Sequence, residues 1–206
     1  MRLAVVAALL VGFTTFQTPG TDPASLRIRD SHQGILIACD PYSDAARAKK
    51  EFGKESPLKA GILPLEVYVR NGARWPVAVS LDKIRLDVVR PGEPRDSLDP
   101  LSSDYVATLI LHPKSPGAQA PRPRLPIPLP GIGKGGKWRK LRDKLDELAF
   151  PDAVVAPGAT VHGFFYFNLA GEFSALRYAR FYVPDLKFLG NAQSIMFFEA
   201  DFSSSP

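Results

Sequence analysis

Cysteine is nearly missing from this chain: Cys39 is the only one among 206 residues. A single cysteine excludes an intramolecular disulfide, so the fold has to rest on its hydrophobic core. It also excludes the paired thiolates of structural zinc sites. Histidine is scarce as well. His32, His112 and His162 stand far apart, so no two have the short spacing of a zinc motif. No G-x-S-x-G occurs to mark a nucleophile elbow. Cys39 closes the apolar run 35–39, where burial raises a thiol pKa rather than lowering it, and it reads as a small buried hydrophobe. Long apolar runs are absent too. Residues 3–13 hold only apolar side chains and one glycine, and that length is short of the roughly 20 residues a membrane helix needs.

That N-terminal block follows Arg2 and leads into the polar residues Thr14, Thr15, Gln17 and Thr18 before Pro19. A positive charge, a short apolar block and a polar exit are the parts of a secretory signal peptide. Residues 1–20 are therefore expected to be a leader, and residues 21–206 a single exported domain, periplasmic or extracellular, with no transmembrane span in the mature chain. Leu36, Ile37, Ala38 and Cys39 resemble a bacterial lipobox. In such a signal the cysteine directly follows the apolar block, whereas Arg27, Arg29, Asp30 and His32 intervene here.

Charge is distributed unevenly. Between Lys114 and Arg142 lie eight Lys or Arg, six prolines and no acid, while the other 18 basic residues face 21 acidic ones. The entire positive balance, a formal +5, thus resides in a Pro-rich basic insertion with an amphipathic helix at about 113–150. Leu125, Ile127 and Leu129 alternate with Pro126, Pro128 and Pro130, which excludes helix and imposes extended geometry. From about 137 to 149 the period changes to helical. Trp138, Leu141, Leu145 and Leu148 share one face, and Arg139, Lys140, Arg142, Asp143 and Asp146 lie on the other. The run from Gly131 to Gly136 contains Lys134, but it lacks the glycine and hydroxyl positions of a phosphate-binding loop. It reads as a hinge into the helix.

Elsewhere strands dominate. The twenty prolines are roughly twice the usual share and fit a loop-rich β fold. Residues 26–29 and 34–39 read as short strands. Ser43 or Asp40 is placed to cap a helix at about 44–52 that Gly53 stops. Calcium ligation by Asp40 and Asp44 lacks the further acids of a calcium loop. Residues 62–70 alternate with period two, and Asn71-Gly72 predicts a tight hairpin. Strands at 75–81 and 83–89, a segment at about 102–111 that reads as a helix opened by Ser102 or Ser103 or else as a strand, and strands at 160–168, 177–183 and 194–202 follow, with turns at Gly171, Pro184 and Gly190. The aromatics Phe164 to Phe167 face both ways. One face is expected in the core and the other under the Trp138 helix or the Pro-rich segment.

Short strands with turn signals and few helices predict a mainly β fold, an antiparallel β-sandwich. The strand pattern across about 26–202 resembles exported bacterial immunoglobulin-like or LEA14-like sandwich proteins. The resemblance implies an immunoglobulin-like fold and carries over no functional residue.

The expected function is that of a non-catalytic binding or scaffold module of the bacterial envelope, with no cofactor and no metal. The candidate binding residues are Lys134, Lys137, Trp138, Arg139, Lys140 and Arg142, and the partner is an anionic envelope component or another envelope protein. Export removes nucleic acid as the natural polyanion. The alternatives are a structural subunit of a larger envelope complex, or an enzyme whose site assembles His162, an acid and a serine from distant positions.

Overall fold

The computed structural model describes residues 21–113, 135–190 and 194–203, without the side chains of 194–196. The expected leader and the Pro-rich arm, including Lys134, lie outside the described residues. The described elements are β1 (Ile28–His32), β2 (Ile35–Pro41), α1 (Ala45–Phe52), β3 (Ile62–Asn71), β4 (Val77–Ala78), β5 (Arg85–Val88), β6 (Asp96–Leu98), α2 (Ser103–Leu111), α3 (Gly136–Leu148), β7 (Val154–Val155), β8 (Thr160–Asn168), β9 (Ala179–Phe188) and β10 (Ser194–Asp201). The chain is mainly β, with antiparallel sheets and short helices.

The first sheet runs in the order β1-β2-β3-β8. In the second, β9 is central: it pairs with β10, with β5 through its first half, and with β4 at its end. Strands β6 and β7 extend β5 and β4 outward. The period of two sorts β3 cleanly. Leu63, Leu65, Val67 and Val69 enter the space between the sheets, and Ile62 joins a second cluster on the opposite side. Across the sandwich Phe181 meets Phe165 and Phe167, with ring centroids 5.6 and 6.2 Å apart.

A helical layer lies on the outer face of the first sheet, so the described chain forms three layers. Phe164 and Tyr166 point outward from β8 into this layer, where Phe52 of α1 packs edge-on to Phe164 at 5.1 Å. The two-way aromatic strand is thus buried on both faces, by the opposing sheet and by helices.

Gly163 allows the chain after α3 to cross β8. A Cβ there would stand 2.5 Å from the Phe150 Cα and 2.6 Å from its N. Phe150 N–H donates to the Phe164 carbonyl at 3.0 Å, and its ring stacks on Phe165. Leu101 N–H donates to the Tyr166 carbonyl at 2.8 Å. Both bonds serve carbonyls that β3 leaves open, which blunts the edge of the sheet. At the other side, Asp30 Oδ2 of β1 accepts from Glu199 N–H of β10 at 2.9 Å and ties the two sheets together.

Three expectations are corrected. Asn71-Gly72 does not close a hairpin: neither residue has positive φ, and β3 pairs with β2 and β8 instead. The chain there changes sheets. The fully buried Asn71 amide donates to the carbonyls of Trp75 and Val155, both at 2.8 Å, and accepts from Ala73 N–H. Those three bonds satisfy a crossing chain that no ladder pairs. The cap of α1 is Asp44, which accepts from Arg47 N–H at 2.7 Å. Asp40 is held instead by the Arg47 guanidinium, at 2.7 and 2.5 Å. Gly53 ends the helix with φ of 76°, as its freedom in the left-handed region predicts. Pro184 makes no turn, because β9 runs through it. The residue falls opposite the gap between the β5 and β4 pairings, where one ladder is already interrupted.

Candidate functional site

The helical layer carries the residues singled out by charge. Helix α3 has the predicted stripe: Trp138, Leu141 and Leu145 are buried, and Leu148 is half-buried. The Trp138 indole is 4% exposed, and its N–H donates to Thr108 Oγ1 of α2 at 3.1 Å. Trp138 therefore anchors α3 to the body of the protein rather than meeting a partner directly. Tyr166 O–H donates to the Leu145 carbonyl at 2.9 Å and fixes the middle of the same helix over β8.

This anchoring turns Lys137, Arg139 and Lys140 to solvent. Arg142 is half-buried, with its guanidinium 2.7 Å from Asp143 and 3.9 Å from Asp104. Helix α1 lies alongside: Lys144 Nζ donates to the Glu51 carbonyl, and Lys137 pairs with Glu55 at 2.8 Å. Lys49, Lys50, Lys54 and Lys59 are exposed on the same layer. Tertiary structure thus brings Lys54 and Lys59, which follow α1, around the same Glu55 that pairs with Lys137 of α3. Sequence reasoning missed this half of the patch, because its four lysines at 49–59 are interleaved with Glu51 and Glu55 and do not form an acid-free run.

A second constellation sits on the same outer face of the first sheet. Glu66 of β3 is 7% exposed. Its Oε2 accepts from Tyr42 O–H at 2.9 Å, its Oε1 lies 3.0 Å from Nδ1 of His162 on β8, and Tyr68 also bonds to it. The Tyr68 ring stacks on the His162 imidazole at 5.2 Å. Register makes this meeting inevitable, since His162 stands opposite Tyr68 and two residues along the ladder from the partner of Glu66. Burial pushes the Glu66 carboxyl up, but the bonds from His162, Tyr42 and Tyr68 outweigh it, and the net shift is below the ordinary carboxylate value. Burial and the Glu66 charge push the Tyr42 phenol up to about 12 and raise that of Tyr68 further. The acid and the imidazole of an assembled enzyme site do converge. The hydroxyls that meet Glu66, however, are phenols held protonated as donors, not activated nucleophiles. Neither Tyr42 nor Glu66 was singled out from the sequence, where a glutamate in a period-two strand reads as a solvent-facing residue.

Glu66 is therefore a stability element with a defined pH signature. Its folded pKa lies below its unfolded value near 4.5. The stabilisation is complete above that value and is lost as pH falls through the lower folded pKa. Glu66→Gln is expected to cost about 1–3 kcal/mol at neutral pH. Urea unfolding of both proteins as a function of pH should show that deficit shrinking on the acid side of pH 4.5. A deficit that stays constant with pH would show that Glu66 is not ionised in the folded protein.

Comparison with family models, with curated proteins and with solved structures returns no match. Function therefore rests on the residues themselves. Among the described residues no group of His, Cys, Asp or Glu is arranged to hold a metal ion, and no helix is long and apolar enough to cross a membrane. His32 pairs with Asp30 at 3.0 Å beside the β1–β10 tie, and His112 is an exposed residue at the end of α2. Cys39 is buried between the sheets, where desolvation and then the adjacent Asp40 push its thiol well above the ordinary value. That shift removes it as a nucleophile.

Proposed function

We propose that this protein is an exported, non-catalytic binding module of the bacterial envelope, an immunoglobulin-like sandwich that meets an anionic envelope component through its helical layer. The observation that carries the reading is the anchoring of α3. Buried Trp138, Leu141 and Leu145 fix the helix on the sheet, so Lys137, Arg139 and Lys140 are held at its exposed surface, with Lys137 meeting Glu55 close to Lys54 and Lys59. A fixed array of cations attracts a polyanionic surface at lower entropic cost than the same charges on a mobile strand. The Pro-rich basic residues that precede α3 in sequence add cations of the same sign.

Each cation near an anionic lipid surface contributes about 1 kcal/mol, weakened by salt. Changing Lys137, Arg139, Lys140 and Arg142 together to Gln is expected to reduce binding to phosphatidylglycerol-containing vesicles at least about tenfold at low salt. Raised salt should reduce wild-type binding in the same direction. Cosedimentation reads both effects, and equal binding by the two proteins would overturn the proposal.

A further inference from the structure

Asn71 and Gly72 form the one Asn-Gly pair of the chain, since Asn168 and Asn191 precede Leu169 and Ala192. Asparagine is chemically labile. A following glycine makes it more so, because without a Cβ the next backbone nitrogen is unshielded and free to bend toward the side chain. The Gly72 nitrogen, once its proton is lost to solvent, bonds to Cγ of Asn71, and the side-chain nitrogen leaves as ammonia. Water then opens the resulting ring at either carbonyl. The product is aspartate or its β-linked isomer, which carries one extra methylene in the main chain.

The fold occupies every group this reaction needs. Asn71 is fully buried, its amide donates to the Trp75 and Val155 carbonyls, and its Oδ1 accepts from Ala73 N–H. Its backbone N–H donates to the Ala159 carbonyl at 2.9 Å, and its carbonyl accepts from Gly158 N–H at 2.6 Å. The attacking atom is held as well: Gly72 N–H donates to the Gly34 carbonyl at 2.7 Å. These bonds keep the nucleophile protonated and the side chain turned away from it. The junction also demands both residues of the labile pair. A Cβ at Gly72 would stand 3.0 Å from the Gly34 carbonyl oxygen. At position 71 an ionised aspartate has no hydrogen to give the two carbonyls, whereas the asparagine amide has two.

We propose that Asn71 is a deamidation site shielded by the native fold, and that modification there traps the chain in the unfolded state. An aspartate at 71 sets a buried carboxylate against the Trp75 and Val155 carbonyls and leaves both without a donor. The β-linked isomer lengthens the chain where β3 ends its pairing with β2, opposite Ile35, and displaces Gly72 from Gly34. Either product removes the crossing between the sheets, so reversible unfolding becomes irreversible with time. This site does not depend on the function of the helical layer.

The test follows the whole wild-type protein at mildly alkaline pH, in native buffer and in guanidinium chloride. Peptide mass mapping reads the exchange of amide for acid at residue 71, with Asn168 and Asn191 as internal references. Conversion at Asn71 should be at least about a hundredfold slower in native buffer, because it must pass through a sparsely populated unfolded state. In denaturant it should outpace conversion at the other two asparagines. Samples diluted out of denaturant at intervals should yield a refolded fraction, isolated by size exclusion, that holds only unmodified Asn71 and shrinks in step with conversion. Asn71→Asp should unfold at a lower denaturant midpoint than wild type or fail to fold. Equal conversion in the two buffers, modified chains refolding in undiminished proportion, or an Asn71→Asp protein as stable as wild type would overturn the assignment.

Discussion

Trp138→Ala is expected to lower the stability of α3 and its contacts by about 3–5 kcal/mol. The indole is almost wholly buried between α2, α3 and the first sheet, and it carries both packing area and a hydrogen bond to Thr108. Removing it leaves a cavity at the first turn of a helix that has no side-chain N-cap, since Gly135 occupies that position. Trp138→Phe should lose only about 1 kcal/mol, because most of the apolar area stays while the donor to Thr108 goes. Urea unfolding with far-UV circular dichroism separates the two variants. If α3 detaches alone, the alanine variant should show an early loss of helix and a smaller m-value for the main transition. A loss below about 1 kcal/mol in the alanine variant would mean that α3 is held by something other than this residue. Because the cations project from the same helix, vesicle binding should fall together with α3 structure.

The second large effect is expected at the centre of the sandwich. Phe181 is 1% exposed and packs against Phe165 and Phe167 of the opposing sheet. Phe181→Ala is expected to cost about 3–5 kcal/mol, the transfer of a whole ring plus the cavity it leaves. Phe181→Leu keeps most of the volume and should cost less than half of that. By contrast Phe197→Ala, at a ring 42% exposed on the outer face and stacked on Tyr182, should cost about 1 kcal/mol or less. Chemical denaturation of the three variants gives the ordering. A Phe181→Ala cost as small as that of Phe197→Ala would show that the two sheets do not share a packed core.

Much of the secondary structure was legible because its signals are local. The strands at 62–70 and 160–168 follow from alternation, and α3 follows from the spacing of Trp138, Leu141, Leu145 and Leu148. Ser102 caps α2 by accepting from Tyr105 N–H, as a serine before an apolar run should. Local signals failed where a distant partner won. Asn71 has the propensity for a hairpin turn, yet the Val155 carbonyl, 84 residues away, competes for its amide and holds a crossing chain instead. Pro184 reads as a break, yet β9 continues through it in register with β10, and only Asp185 just beyond it departs from the extended conformation, with φ of 52°. Gly163 looks like a weakness in an aromatic strand. Its role as the notch for Phe150 depends on a segment that only the fold brings there.

By itself the sequence determined the mainly β, antiparallel character, the dependence on a core without disulfides, and the location of the excess positive charge. Those are properties of composition and of short periods, which survive without knowledge of neighbours. Tertiary structure alone decided which face of each element is covered. It buried Trp138 and so made it an anchor, gathered the lysines after α1 beside α3, and brought Glu66, His162, Tyr42 and Tyr68 together. The reason is physical: burial, hydrogen-bond closure and the field at a charged group depend on what lies across a few ångströms of space, and strand pairing places there residues separated by tens of positions in the chain.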